Sequence, residues 1–126
     1  ANKVKIALGT DSGVYPHGLN GHEFTLLVEW GGMRPMDAIV AGTANSAKLL
    51  GLDKNIGTLT VGKLADIVAV QGNPLENIKT MEQAVFVMKN GVVYKENRGT
   101  TARNSFVSTD SEFWSEKLFQ EPIHAY

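Results

Sequence analysis

The order in which hydrophobic periods appear constrains this chain more than any other feature. Val4, Ile6 and Leu8 alternate with Lys3, Lys5 and Ala7, and a period of two predicts a strand. That run ends at Gly9-Thr10-Asp11-Ser12-Gly13, where two glycines bracket a polar turn. The next periods are helical, and the only other strand patterns come after residue 52. A lone strand followed by helices cannot form a sheet by itself. Its neighbours are expected from outside the chain, which opens inside the strand-like run as though cut from something longer.

A polar loop through Tyr15, Pro16, His17, Gly18 and Gly21 leads to a first helix expected near Asn20, with Glu23 as a capping-box-like partner. Phe24, Leu27 and Val28 share one face, and Gly31-Gly32 stops the helix. A second helix begins at Pro35, a good first-turn residue. Met36, Ile39, Val40, Thr43, Ala44, Ala47 and Leu50 recur at helical spacing and predict a buried stripe ending at Gly51. Beyond Leu52, Ile67-Val68-Ala69-Val70 reads as a short buried strand. Ala84 to Lys89 and Val92 to Lys95 read as two more, joined by Asn90-Gly91, a strong hairpin signal. In the polar remainder, Arg98 to Asp110 looks like an extended loop. Phe113, Trp114, Leu118 and Phe119 fit a short docking helix.

Composition narrows the function classes. A net charge of -1 argues against a general electrostatic grip on nucleic acid or an anionic membrane. No apolar run approaches the roughly 20 residues needed to span a bilayer, and Ala1-Asn2-Lys3-Val4 lacks the apolar core of a signal peptide. The sequence has no cysteine, which excludes disulfides and thiolate chemistry and suits a reducing cytoplasm.

Asp11 is the first candidate for chemistry. It stands where a strand ends in a glycine-flanked turn, the place where α/β barrels put catalytic side chains. The plainer alternative is a turn aspartate that bonds nearby backbone N–H groups. Asp11-Ser12-Gly13 is also similar to the Asp-Ser/Thr-Gly signature of aspartic proteases, but the long helical stripe does not fit an all-β protease. Gly57-x-x-x-x-Gly62-Lys63 mimics a phosphate-binding loop. Leu64 stands where a magnesium-ligating hydroxyl would be needed, and no strand precedes the motif and no helix follows it. His17 and His22 lie close to Asp11 in sequence, yet their spacing does not put both on one helix face. For His22 a solvent-facing first-turn position is the simpler reading. Ser12 lacks a nucleophile-elbow context.

Several stretches together resemble one family. Gly9-Thr10-Asp11-Ser12-Gly13 with Pro16-His17-Gly18 resembles the last barrel strand and loop of the amidohydrolase superfamily, in its imidazolonepropionase-like and prolidase-like branch. Thr43-Ala44-Asn45-Ser46-Ala47-Lys48-Leu49-Leu50-Gly51-Leu52 resembles the following helix. Gly57-Thr58-Leu59, then Gly62-Lys63-Leu64-Ala65-Asp66-Ile67-Val68-Ala69-Val70 and Gly72-Asn73-Pro74-Leu75, resemble the C-terminal β segment. Val87-Met88-Lys89-Asn90-Gly91-Val92-Val93-Tyr94 resembles the closing hairpin.

The resemblance implies a fold that is α/β in origin. Residues 1–52 would end a (β/α)8 barrel with its last strand, loop and helices. Residues 53–95 would belong to a small β-sandwich built from both chain ends, and 96–126 would form a polar tail. The family's site holds one or two divalent metals, commonly zinc. Its ligands are a His-x-His pair, a carboxylated lysine or glutamate, two further histidines and one aspartate. Only the aspartate has a counterpart here, Asp11, and the sequence contains no His-x-His. Asp11 is therefore implied to ligate metal and to move a proton from attacking water to the leaving nitrogen during hydrolysis of a C–N bond. His17, in the loop above the site, is implied either to touch substrate or to play a structural role. Ser12 replaces another small residue, with little expected effect.

The expectation is thus a C-terminal part of a metal-dependent amidohydrolase acting on a small amide, dipeptide or acylated amino acid. On its own the chain is expected to hold no metal firmly, to be inactive, and to self-associate for want of the missing N-terminal part of the same protein. The alternative is a non-catalytic α+β interaction module.

Overall fold

The computed structural model describes residues 4–14 and 16–97. The expected loop at Arg98 to Asp110 and the helix around Phe113 to Phe119 lie outside the described residues.

Helix α1 spans His22–Glu29. Its expected apolar face is real: Phe24 is buried beside Ala38 and Ile78, with Leu27 and Val28 packed against them. The expected start differs. Gly21, in helical conformation, takes the N-cap position and no side chain caps the helix. A tight turn serves instead, in which the N–H groups of His22, Glu23 and Phe24 donate to the carbonyls of Leu19, Asn20 and Gly21 at 2.9, 3.2 and 3.3 Å. The Asn20 side chain is committed elsewhere. At the other end, Trp30 and Gly31 N–H both donate to the Leu26 carbonyl at 3.0 Å, and Gly32 turns the chain at a φ of 66°.

The second helix begins at Pro35, as its sequence dictates. It runs as α2 (Pro35–Val40), a widened π turn (Ala41–Asn45) and α3 (Ser46–Leu49). The Ala41 carbonyl opens the widened turn. That oxygen accepts the Ser46 hydroxyl at 2.7 Å and the Leu8 N–H at 3.1 Å. Gly51, at a φ of 70°, ends the helix as expected. The stripe, however, is only partly buried. Ala47 and the intervening Ala38 and Ala41 face inward, whereas Met36, Val40, Thr43 and Leu50 are exposed. Periodicity identified the helix, but which apolar side is covered depends on what packs there.

The expected first strand has no partner strand among the described residues. Residues 4–8 carry no strand ladder. Their backbone groups bond to the helix instead: Asn45 Nδ2 donates to the Ile6 carbonyl at 2.9 Å, and Ser46 Oγ donates to the Leu8 carbonyl at 3.3 Å. A segment with strand periodicity but no strand beside it satisfies its polar groups on the nearest side chains.

The remaining elements form one antiparallel sheet, ordered β1 (Ile67–Val70), β2 (Ala84–Lys89) and β3 (Val92–Glu96). Ile67 opposes Met88 and Lys89 opposes Val92. Asn90 and Gly91 turn at φ of 50° and 78°, the left-handed pair that a two-residue hairpin requires. Asp66 Oδ1 accepts the Asn90 N–H at 2.7 Å and the Ala65 carbonyl accepts the Gly91 N–H at 3.1 Å, tying that turn to the start of β1. β1 is less buried than expected, with Val68 and Ala69 exposed. Among the described residues this is a single sheet, with no second layer making a sandwich.

A short 3-10 turn, Ile78–Glu82, brings Ile78 and Met81 onto α1. Burying Phe24 and Ile78 contributes about 2–3 kcal/mol each. Among the described residues the core is thin: no large side chain is fully buried, and Trp30 and Leu49 are 85% and 77% exposed. No helix among the described residues is long and apolar enough to cross a membrane.

Candidate active site

The segment before it delivers Asp11 to a turn over residues 11–14. The Asp11 backbone is left-handed, with a φ of 46°, a conformation that aspartate tolerates better than most residues. Its side chain is exposed and its carbonyl accepts the Val14 N–H at 3.4 Å.

What holds this turn is a residue read from sequence only as a helix start. Asn20 is 4% exposed. Its Nδ2 donates to Ser12 Oγ at 2.8 Å and to Thr10 Oγ1 at 3.2 Å, the hydroxyls on either side of Asp11. Those hydroxyls also bond each other at 2.9 Å. On its other side, Asn20 Oδ1 accepts the N–H of Gly18, the residue after His17, at 3.1 Å. One buried amide thus ties the flanks of Asp11 to the loop carrying His17, which is exposed. The only sequence signal for this was a polar residue just ahead of a helix, which a capping role explains equally well. Ser12, expected to matter little, is one corner of the cluster.

The other singled-out residues lie apart. His22 sits in the first turn of α1, half-exposed, with Nδ1 at 3.0 Å from Glu82 Oε1. The Thr25 hydroxyl donates to the same oxygen. These contacts, Thr25 first and then His22, hold the Glu82 carboxyl below its ordinary pKa. His22 therefore fastens α1 to the 3-10 turn. Lys79 adds an ion pair to Glu29 at 3.0 Å across the same junction.

Lys63 is equally structural. Its Nζ donates to the carbonyls of Asp53 and Ile56 at 2.6 and 3.1 Å. The ammonium closes the loop after α3 and cradles no phosphate. A Cβ on Gly57 would come within 2.5 Å of the Ala47 Cβ, so this glycine lets the loop press against the helix.

The family resemblance implies a divalent metal. Among the described residues no group of three or more His, Cys, Asp or Glu could hold one. A zinc site takes three or four protein ligands, so Asp11 by itself does not make one.

Comparison with known proteins gives this arrangement a context. The sequence pattern of the amidohydrolase family matches residues 1–95. Ochratoxinase from Aspergillus niger is 39% identical over 112 residues, which cover 82% of this chain and 23% of ochratoxinase. Imidazolonepropionase from Symbiobacterium thermophilum is 38% identical over 65 residues, covering 50% of this chain and 15% of that protein. Among solved structures, a Xaa-Pro dipeptidase with methionine bound in its active site superimposes with a TM-score of 0.70. It is 47% identical and covers 74% of this chain and 23% of its own. The A. niger ochratoxinase structure gives a TM-score of 0.64 at 38% identity, covering 81% of this chain and 25% of its own. The chain spans about a quarter of the ochratoxinase and dipeptidase lengths. It belongs to the amidohydrolase family.

Proposed function

We propose that this chain is the C-terminal part of a metal-dependent amidohydrolase that hydrolyses a C–N bond in a small amide, a dipeptide or an acylated amino acid. In this reading residues 1–52 close the catalytic barrel, 53–95 belong to a small β domain packed on it, and the rest of the site comes from the remainder of the same protein. A cytoplasmic setting and a zinc ion belong to the same proposal.

The observation that carries it is the exposed carboxylate of Asp11, carried on a turn whose flanking hydroxyls are clamped by Asn20, within the span matched by the family. A bound divalent ion would polarise the scissile carbonyl and make water a nucleophile near neutral pH. Asp11 has two oxygens, enough to contribute one to a metal and keep the other for a proton. It takes that proton from the attacking water and delivers it to the leaving nitrogen. His17, in the loop tied to the same amide, contacts substrate. The other ligands belong to the missing polypeptide, and this chain alone turns over no substrate. An interaction module without chemistry accounts for the helices and hairpin but not for the family match over 1–95.

The test is turnover of Xaa-Pro and N-acyl amino acid substrates by the whole gene product and its Asp11→Asn variant. A loss of at least 100-fold in kcat is expected, given the 10²–10⁴-fold typical of a positioned proton-transfer group. Undiminished turnover in the variant would remove Asp11 from its role.

A further inference from the structure

We propose that Asn20 is the positioning residue for Asp11: a buried amide that sets the aim of the carboxylate and couples it to the His17 loop. This rests on the reading of Asp11 given above.

A left-handed φ of 46° at a non-glycine residue is sparsely populated, and it persists only where its surroundings over-determine it. A turn built from Gly9-Thr10-Asp11-Ser12-Gly13 has glycine freedom at both ends and would sample many directions if left alone. The clamp removes that freedom. Both Nδ2 hydrogens are used, one on each hydroxyl flanking Asp11, at 2.8 and 3.2 Å. The mutual bond between the two hydroxyls closes a triangle beneath the aspartate.

The clamp is itself anchored to the core. The Asn20 carbonyl takes the Glu23 N–H at the entry to α1. Its neighbour Gly21 presses so closely on the 3-10 turn that a Cβ there would lie 2.5 Å from the Met81 carbonyl oxygen. Asn20 therefore refers the position of Asp11 to the packed core of Phe24, Ala38 and Ile78.

Asparagine suits this task. It offers two donors to the hydroxyls and one acceptor to the Gly18 N–H at 3.1 Å. Aspartate would keep the Gly18 bond and could still accept from the two hydroxyls, which rotate to donate. Leucine has neither donor nor acceptor, so Asn20→Leu breaks both sides of the clamp while nearly conserving size. Asn20 touches neither substrate nor metal in this account; it acts only through Asp11 and the loop.

The experiment uses the whole gene product with its metal bound. Asn20→Leu and the double variant Thr10→Val/Ser12→Ala are compared with the parent and with Asp11→Asn. We expect kcat to fall by 10- to 100-fold in both clamp variants, the range a misplacement of about 1 Å produces. KM should move less than threefold, and metal content and the thermal midpoint should stay near those of the parent. Because the double variant leaves Asn20 buried in place, it separates positioning from folding. If Asp11→Asn abolishes turnover while the double variant keeps kcat within twofold, Asn20 is no positioning residue and the proposal fails. If Asp11→Asn itself retains turnover, the underlying reading of Asp11 fails instead.

Discussion

Gly21 sets two physical arguments against each other. Its φ of -60° and ψ of -21° suit alanine fully. Replacing it should therefore reduce unfolded-state entropy and stabilise by about 0.5–1 kcal/mol. Packing says the opposite. An added Cβ would meet the Met81 carbonyl oxygen at 2.5 Å, the Glu82 Cα at 3.0 Å and the Met81 carbonyl carbon at 3.2 Å. All three are backbone atoms and cannot swing aside. Ordinary carbon–oxygen contact lies near 3.3 Å, so α1 must move off the 3-10 turn by roughly 0.8 Å. That movement strains the packing of Phe24 on Ile78 and the bonds from Thr25 and His22 to Glu82. Overpacking of this kind costs about 1–3 kcal/mol. With unyielding backbone on one side the upper part of that range applies, and the net effect of Gly21→Ala is a loss of about 1–2 kcal/mol. Hydrogen exchange by mass spectrometry on peptides covering His22–Glu29 reads this directly. Exchange should quicken by roughly 5- to 30-fold. Gly9→Ala, with nothing within 4 Å of the added carbon, is the control and should leave α1 unchanged. Equal or slower exchange in Gly21→Ala would refute the close contact with the 3-10 turn.

Three further outcomes follow from the same geometry. Glu82 has a depressed pKa in the folded chain, so it contributes stability above the ordinary carboxylate pKa and loses it as pH falls through that range and below. The denaturation midpoint should therefore fall on acidification less steeply in Glu82→Gln than in the parent; parallel curves would contradict this. Lys63→Met should weaken the loop after α3 by roughly 1 kcal/mol through the loss of hydrogen bonds from a charged donor and leave ATP binding undetectable, as in the parent. Nucleotide binding in the parent that Lys63→Met abolishes would overturn the structural role. The isolated chain, with Trp30, Leu49 and Leu50 exposed, should show a mass in light scattering that rises with concentration; a sharp monomer with a cooperative melt would count against the proposal that further polypeptide covers these side chains.

Where the chain's own neighbours decide the structure, the sequence was legible. Phe24, Leu27 and Val28 were grouped correctly, Pro35 and Gly51 bounded the long helix, and Asn90-Gly91 fixed the hairpin, because each signal acts within a few residues. The structure is not legible where the partner lies far along the chain. Residues 4–8 have strand periodicity but bond to Asn45 and Ser46, a pairing no local pattern encodes. Half of the helical stripe is exposed because periodicity says which residues share a face, not what covers it. Asp11 and His17 were singled out by turn chemistry and family likeness. Asn20 was not, because a buried amide spanning 10 residues back to Thr10 looks in sequence like any helix start.

The account stands on Asp11 sharing a metal with ligands supplied by the rest of its protein. Anomalous diffraction at the zinc edge, on crystals of the whole gene product grown with zinc, measures this directly. The account predicts a peak about 2.0–2.2 Å from an Asp11 carboxylate oxygen, the zinc–carboxylate distance. Zinc bound among histidines with Asp11 pointing to solvent would contradict it.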